Sequence, residues 1–221
     1  MLVVLGILAN MFIQPVSSQV EIAKRQRTDR SLDRVEQALI GFAIAHGRLP
    51  CPADWQGPAI EKDECGTGNN YGLLPAITLG MPGARNQQGA LLDGWNRPIH
   101  YAVSAADHPS RGLVGWSDYT TSDDISAVGM SELASELEIC ATAVAAACPP
   151  DQLLANQVPV IFFSKGKPLD DSTIEQENTD GDDVFISHPY SQSTANRFDD
   201  RVRWIPENIL LFRLLQAGVV P

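Results

Sequence analysis

The sequence predicts an α+β fold in which a long N-terminal helix packs on an antiparallel β-sheet and a short helix closes the chain. Residues 1–47 begin with an apolar run and continue with apolar residues at helical spacing. Short apolar segments separated by Gly, Pro, Asp and Ser clusters then indicate strands. Residues 206–217 begin with a proline and end before a glycine, as helices often do. We therefore divide the chain into the helix, residues 1–47, and a globular domain, residues 48–221.

The first half of the long helix is predicted to lie in a membrane. Its first 13 residues, MLVVLGILANMFI, are apolar apart from Asn10. A helix needs about 20 such residues to cross a bilayer, so the run is short for a span. A basic segment, residues 24–30, follows where a helix leaving a membrane would meet lipid headgroups. The residues predicted to contact lipid are Leu2, Val3, Val4, Leu5, Ile7 and Leu8.

Two alternatives for this apolar run remain open. It has the length of the apolar core of a cleavable secretion signal, although the basic residues that precede such a core are absent. It could also belong to a buried helix of a cytosolic protein, but its apolar face would then need a partner.

The second half of the long helix is predicted to pack on the domain. Apolar positions recur every three or four residues, with charged and amide side chains between them, at Leu32, Val35, Leu39 and Phe42, followed by His46. Gly47 and the prolines at positions 50 and 52 then end the helix.

The charge of the chain is concentrated after this helix. Up to Gly47 there are five basic and four acidic residues, whereas the remaining 174 residues carry 11 basic and 23 acidic ones. A domain with such an excess of negative charge is not suited to nucleic acid, and it favours solubility or cation binding.

Four cysteines, Cys51, Cys65, Cys140 and Cys148, lack the paired spacing of a zinc site. In an exported chain they predict disulfides with three connectivities, of which the near-neighbour choice pairs Cys51 with Cys65 and Cys140 with Cys148. Eight residues of helix would separate the second pair by about 12 Å, which is too far for a disulfide. Residues 141–147 should then not form an unbroken helix. Four reduced thiols in a cytosolic protein remain the alternative.

Strands are predicted at residues 99–103, 136–140, 158–163, 184–187 and 201–205, forming an antiparallel sheet. The segment 158–163 (VPVIFF) is continuously apolar and is the expected central strand, with Pro159 in its first residues or at a bulge. The closing helix is expected to be largely buried through Ile209, Leu210, Phe212, Leu214 and Leu215.

Several motifs resemble the type IV pilin and type II secretion pseudopilin family. The apolar run 2–9 (LVVLGILA) is similar to the middle of the family's N-terminal helix. Residues 49–53 (LPCPA) and 71–75 (YGLLP) resemble a pilin-like subgroup with an LPCPA turn after the long helix. Residues 93–101 (DGWNRPIHY) are similar to the family's Asp-x-Trp-Gly-Asn-Pro turn and the strand after it. The segment 198–206 and the closing helix extend the likeness to the end of the chain.

Two features depart from the family pattern. Asn96 and Arg97 replace the glycine and asparagine of the turn, and Asn96 can still adopt the left-handed conformation that the turn requires. The basic leader, the peptidase cleavage site and the glutamate that begin family members do not precede Met1. We expect Met1 to be an internal methionine, with a leader for a prepilin peptidase encoded upstream.

The resemblance implies a single-pass protein of the bacterial inner membrane with its domain in the periplasm. It implies other pilin-like subunits and membrane lipid as partners of the helix, in a type IV pilus or type II secretion filament. The alternative function is a periplasmic ligand-binding domain, secreted or tethered. No enzyme is indicated, because the four histidines show no metal spacing and no catalytic motif is present.

One acidic segment is a candidate metal site. Residues 170–183 contain seven carboxylates and one asparagine, and such dense oxygen ligands suit calcium. The spacing is not that of an EF-hand. Some type II pseudopilins have a calcium-stabilised loop near the C-terminus, which this segment resembles in composition. The predicted ligands are Asp180 and Asp182, with Asn178, Glu175 and Glu177; a solvated acidic turn is the alternative, and no other cofactor is predicted.

Overall fold

The computed structural model describes residues 2–66, 68–107, 117–121, 125, 133–142, 147–168, 173–193 and 197–220, and the side chains of the first helix from Ser18 onward. Within these residues the helices whose bounds are described are α1 (Leu2–His46), α2 (Thr173–Glu177) and α3 (Glu207–Gln216). The strands are β1 (Tyr71–Leu73), β2 (His100–Val103), β3 (Leu137–Cys140), β4 (Leu153–Val158), β5 (Val160–Ser164), β6 (Val184–Ile186) and β7 (Arg201–Ile205). The α+β class, the long first helix and the short closing helix are therefore confirmed.

The strands form two sheets. The larger has the order β1-β2-β5-β7, and all of its pairs are antiparallel. The smaller has the order β4-β3-β6, in which β3 pairs with β4 antiparallel but with β6 parallel. The prediction of a purely antiparallel sheet is wrong for this last pair. The long connection from β3 to β6 permits the parallel arrangement, which a short hairpin does not.

Pro159 divides the apolar segment that was predicted as one strand. β4 ends at Val158 and β5 begins at Val160, because proline has no N–H to donate to a sheet. Gln157, just before the break, has a φ of 52°. β5 is fully buried and lies between β2 and β7, as expected for the central strand.

The C-terminal half of α1 supplies one wall of the main core. Leu32, Val35 and Leu39 are completely buried and pack in one apolar cluster with Tyr101 and Phe162 of the larger sheet. The predicted apolar face is therefore confirmed from Leu32 to Phe42, whereas His46 at its end is exposed. α1 ends where the sequence predicts, because Gly47 adopts a φ of 65° and its N–H donates to the carbonyl oxygen of Ala43 at 2.9 Å.

The opposite face of the larger sheet covers a second core. Ile161 and Phe163 alternate with the residues that face α1, and they pack against Leu137, Ile139 and Phe185 of the smaller sheet. The described structure thus has three layers: α1, the four-stranded sheet and the three-stranded sheet.

The closing helix α3 is buried on one face only. Leu210, Leu211 and Leu214 are buried. The expectation that the helix is largely buried is wrong for three of its side chains, because α3 lies at the surface beside α1 with its outer face in solvent; the exposed fractions are 40% for Ile209, 53% for Phe212 and 44% for Leu215.

Both predicted disulfides are present. Cys51 bonds to Cys65 and Cys140 to Cys148, with Cα–Cα distances of 5.6 and 5.8 Å. Ala141 and Thr142 lie in a bend rather than a helix, as the second disulfide requires, and residues 143–146 lie outside the described part of the chain.

The predicted lipid contacts lie at the start of α1. Leu2, Val3, Val4, Leu5, Ile7 and Leu8 belong to this helix, but their side chains are outside the described residues. Within the part of the chain that was described, no helix contains a stretch long and apolar enough to cross a membrane.

The packing of α1 gives a first testable prediction. Leu39→Ala leaves a cavity in the main core and should lower the free energy of unfolding by about 2–5 kcal/mol. Ile44→Ala is the matched control, since Ile44 lies on the same helix but is 37% exposed, and it should change stability by about 0.5 kcal/mol or less. Urea denaturation followed by circular dichroism, with the disulfides intact, measures both. Equal losses in the two variants would contradict the packing described here.

Candidate functional site

The turn of residues 93–98 joins the domain to α1. Asp93 is completely buried, and its Oδ1 accepts hydrogen bonds from the backbone N–H groups of Trp95 and Arg97 at 2.7 and 2.8 Å. Its Oδ2 accepts a bond from the Ser164 hydroxyl at 2.6 Å. Burial raises the pKa of the Asp93 carboxyl, and these hydrogen bonds oppose the rise. The carboxylate therefore fixes the shape of the turn and ties it to β5.

Gly94 allows this turn to contact the backbone of α1. Its N–H donates to the Thr28 hydroxyl at 2.9 Å, and a Cβ at this position would lie 2.3 Å from the carbonyl oxygen of Lys24. Any other residue would push the turn away from the helix. Asn96 has a φ of 64°, which confirms that asparagine can replace the turn glycine.

Polar contacts continue along the same side of α1. The Trp95 indole N–H donates to Glu21 at 3.1 Å. The Arg201 guanidinium binds Asp29 through two nitrogens, with Nη2–Oδ2 and Nε–Oδ1 distances of 2.6 and 3.0 Å. Together with the turn, these contacts fix the position of α1 from Glu21 to Asp29.

The structure brings three of the five predicted calcium ligands together. Carboxylate oxygens of Glu177, Asp180 and Asp182 all lie within 4.8 Å of one another. Gly181, with a φ of 90°, turns the chain between the two aspartates. Asp170 and Asp171 of the same segment lie outside the described residues. We call Glu177, Asp180 and Asp182 the loop cluster.

The prediction that Asn178 joins this cluster is wrong. Its side chain is buried, and its Oδ1 accepts a hydrogen bond from the Ile186 N–H at 2.6 Å. Its Nδ2 donates to the Ile186 carbonyl oxygen and to Asp200 Oδ2, at 3.1 and 2.9 Å. Asn178 therefore holds the end of α2 against β6, and its amide oxygen is not directed at the loop cluster.

Glu175 is also absent from the loop cluster, which corrects a second predicted ligand. It is 2% exposed, and its Oε1 accepts a hydrogen bond from the Asp199 N–H at 2.7 Å. Its carboxylate instead lies within 4.8 Å of those of Asp199 and Asp200. We call Glu175, Asp199 and Asp200 the buried cluster.

Burial shifts the titration of the buried cluster. It raises the pKa of Asp200 to about 8, helped by the neighbouring carboxylates and opposed by the hydrogen bond from Asn178. The pKa of Asp199 rises to about 6, again chiefly through burial and then through its hydrogen bond with Glu175. At neutral pH the cluster therefore retains a proton on Asp200.

The donor set of the loop cluster fits a hard cation. Glu177 Oε1 and Asp182 Oδ2 are buried atoms that have no hydrogen-bond partner within the described structure. Burial and the neighbouring carboxylates raise the pKa of both Glu177 and Asp182. Ionising these two groups in the folded loop therefore costs free energy. A divalent cation would remove that cost.

A cavity of about 430 Å³ lies between α1 and the domain. Glu21, Ile22 and Arg25 line it from one face of the helix, opposite Trp95 and Tyr190. The cavity could not be predicted from the sequence, because its walls come from distant parts of the chain. The basic segment 24–30 pointed to this region, but its pattern could not distinguish Arg25, which lines the cavity, from the exposed Arg27 and Arg30.

Comparison with known proteins gave no match: no family model matches the chain, and neither does any curated protein or solved structure. The pilin resemblance therefore depends on the motifs described above.

Asp200 gives a prediction for the pH dependence of stability. An aspartate in the unfolded chain has a pKa near 4, so the stability contributed by protonated Asp200 is complete below about pH 4 and is lost as the pH rises through about 8. Asp200→Asn keeps a neutral group at this position and should remove that loss, which is on the order of several kcal/mol.

Denaturant unfolding in chelator at a series of pH values tests this. The wild type should weaken relative to Asp200→Asn between about pH 4 and about pH 8. Asp151→Asn alters an exposed aspartate and should keep the wild-type slope. Parallel curves for the wild type and Asp200→Asn would show that Asp200 is ionised in the folded state.

Proposed function

We propose that this chain is a structural pilin-like subunit, a pseudopilin or minor pilin of a type IV pilus or type II secretion filament. The start of α1 lies in the inner membrane and in the filament core beside other such subunits, and the acidic domain lies in the periplasm. The observation that carries the proposal is the continuity of α1, a single helix of 45 residues.

The described side chains of α1 all belong to the part of the helix from Ser18 onward. Its C-terminal half is part of the main core, and its contacts with the domain extend back to the cavity at Ser18. The helix continues for another 16 residues to Leu2, about 24 Å at 1.5 Å per residue. A continuous helix whose first residues have an apolar sequence suits insertion into a membrane and packing with equivalent helices.

The motifs that carry the resemblance also pack together. The Tyr101 hydroxyl of β2 donates to the carbonyl oxygen of Pro50 at 2.9 Å, and Ala53 pairs with Leu73 of β1. Gly94 contacts α1 directly. Segments far apart in sequence thus form one layer that holds the helix, which supports a common structural role for them.

A periplasmic ligand-binding domain is the second candidate, and the cavity is the observation in its favour. One wall of that cavity is α1 itself, beginning at Ser18, immediately after the apolar run. A ligand there would be held at the membrane-proximal end of the domain. The cavity is therefore compatible with an anchored subunit, and we assign the chain no catalytic activity.

Membrane topology provides the test of the anchored subunit. A dual reporter fused after Pro221 should be active in the periplasm, with the protein in the inner-membrane fraction, when expressed from the natural gene with its upstream sequence. The same fusion lacking everything before Ser18 should leave the membrane. Activity restricted to the cytoplasm would refute the proposal, whereas a periplasmic but soluble full-length product would favour the binding domain.

We further propose that the loop cluster binds one calcium ion and thereby orders the segment before β6. The supporting observation is the pair of unpartnered buried oxygens on Glu177 and Asp182. The backbone of the loop is already shaped for this, since the N–H of Asp182 donates to Asp180 Oδ1 and that of Val184 to Asp182 Oδ1, at 3.2 and 2.9 Å.

Calcium should raise the melting temperature relative to chelator. At about a hundredfold excess over the dissociation constant the gain is about 2.7 kcal/mol, or several degrees. The double variant Asp180→Ala, Asp182→Ala should lose this shift, whereas the exposed-site control Asp151→Ala should keep it. Identical melts of the wild type with and without calcium would leave the segment as a solvated acidic turn.

A further inference from the structure

We propose that the cavity between α1 and the domain binds the phosphate-bearing headgroup of an anionic membrane lipid. This inference extends the proposed function, since it requires that α1 enters a membrane. It assigns a ligand class to a site that the pilin resemblance does not include.

The position of the cavity along α1 corresponds to the headgroup region. If the apolar run ends in the hydrocarbon at Ile13, Ser18 lies about 8 Å further along the helix axis, at the depth of the polar layer. Ile22 and Arg25 lie further out, but side chains on a helix lean toward its N-terminus and therefore toward the membrane. The domain closes over the helix at this level.

Three cationic side chains line the cavity: Arg25, Lys167 and Arg197. The two carboxylates of the lining already accept hydrogen bonds, Glu21 from the Trp95 indole and Asp199 from the Lys167 backbone N–H, at 3.1 and 3.0 Å. With three cationic residues against two carboxylates, the lining carries one net positive charge within a strongly acidic domain. A phosphate ester is the anion that such a group of arginine and lysine side chains suits.

The walls of the cavity are fixed in place. The Arg25 guanidinium lies 3.5 Å from the centre of the Tyr190 ring. The Lys167 backbone is held on both sides, since its carbonyl oxygen also accepts a bond from Arg97 at 3.3 Å. Ile22, Trp95 and Tyr190 add apolar surface, which suits the glycerol and first carbons of a lipid better than free phosphate.

The test uses the full chain in nanodiscs of neutral lipid, with and without phosphatidylglycerol, and measures the melting temperature of the domain. We expect an increase of several degrees with phosphatidylglycerol. Arg25→Gln with Arg197→Gln should abolish the increase, and Arg25→Lys should retain part of it. Arg27→Gln with Arg30→Gln removes the same charge from the exposed face of α1 and should leave the increase intact.

Each other outcome overturns the inference. An equal loss in both double variants would mean a diffuse attraction between basic residues and an anionic surface. An increase of the same size with soluble glycerol phosphate would assign the cavity to a free phosphate ester. No increase in any sample would mean that the cavity binds no headgroup. Failure of the chain to enter neutral nanodiscs would refute the anchored subunit and this inference with it, whereas the three preceding outcomes refute the inference alone.

Discussion

The burial of one face of α1 against the larger sheet is the contact on which the rest of the structure depends. Leu32, Val35 and Leu39 lie in the main core together with the buried leucines of α3. The close approach of Gly94 to Lys24 fixes the position of α1 along its axis relative to the turn 93–98, since a Cβ at Gly94 would lie 2.3 Å from the Lys24 carbonyl oxygen. Movement of α1 along its axis would break the hydrogen bond from Gly94 to Thr28 and would at the same time expose the main core to solvent.

The second constraint is the negative charge of the domain, which the fold concentrates near its C-terminal strands. Two carboxylate clusters lie close in sequence but differ in environment. The buried cluster reduces its charge by retaining a proton on Asp200, whose pKa of about 8 results from burial. The loop cluster is partly exposed, so a cation from solvent can reach it. The two clusters thus differ in how their charge is compensated: by a retained proton in the buried cluster and, in our proposal, by a cation in the loop cluster.

Periodicity predicted the packing of α1, because buried positions recur every three or four residues in its C-terminal half. The strands that were missed lack such patterns. β1 has three residues and includes Gly72, whose missing Cβ lets the Ala53 carbonyl oxygen approach. β4 is exposed at most positions, so its sequence, LLANQV, shows no alternation of apolar and polar residues. The parallel pairing of β3 with β6 depends on a long connection, and no local pattern encodes it.

Helix geometry explains why the structure separates the five predicted calcium ligands into two groups. Composition alone placed all five ligands in one loop, but Glu175 lies within α2, where successive residues turn by about 100°. Glu175 and Asn178, three positions apart, therefore point to the same side and meet Asp199 and Asp200, while Glu177 points away toward Asp180 and Asp182. Side chains that appear equivalent in sequence are thus divided between the buried cluster, which joins α2 to the residues before β7, and the partly exposed loop cluster. Removing the carboxylates of the loop cluster should therefore affect cation binding without loosening α2.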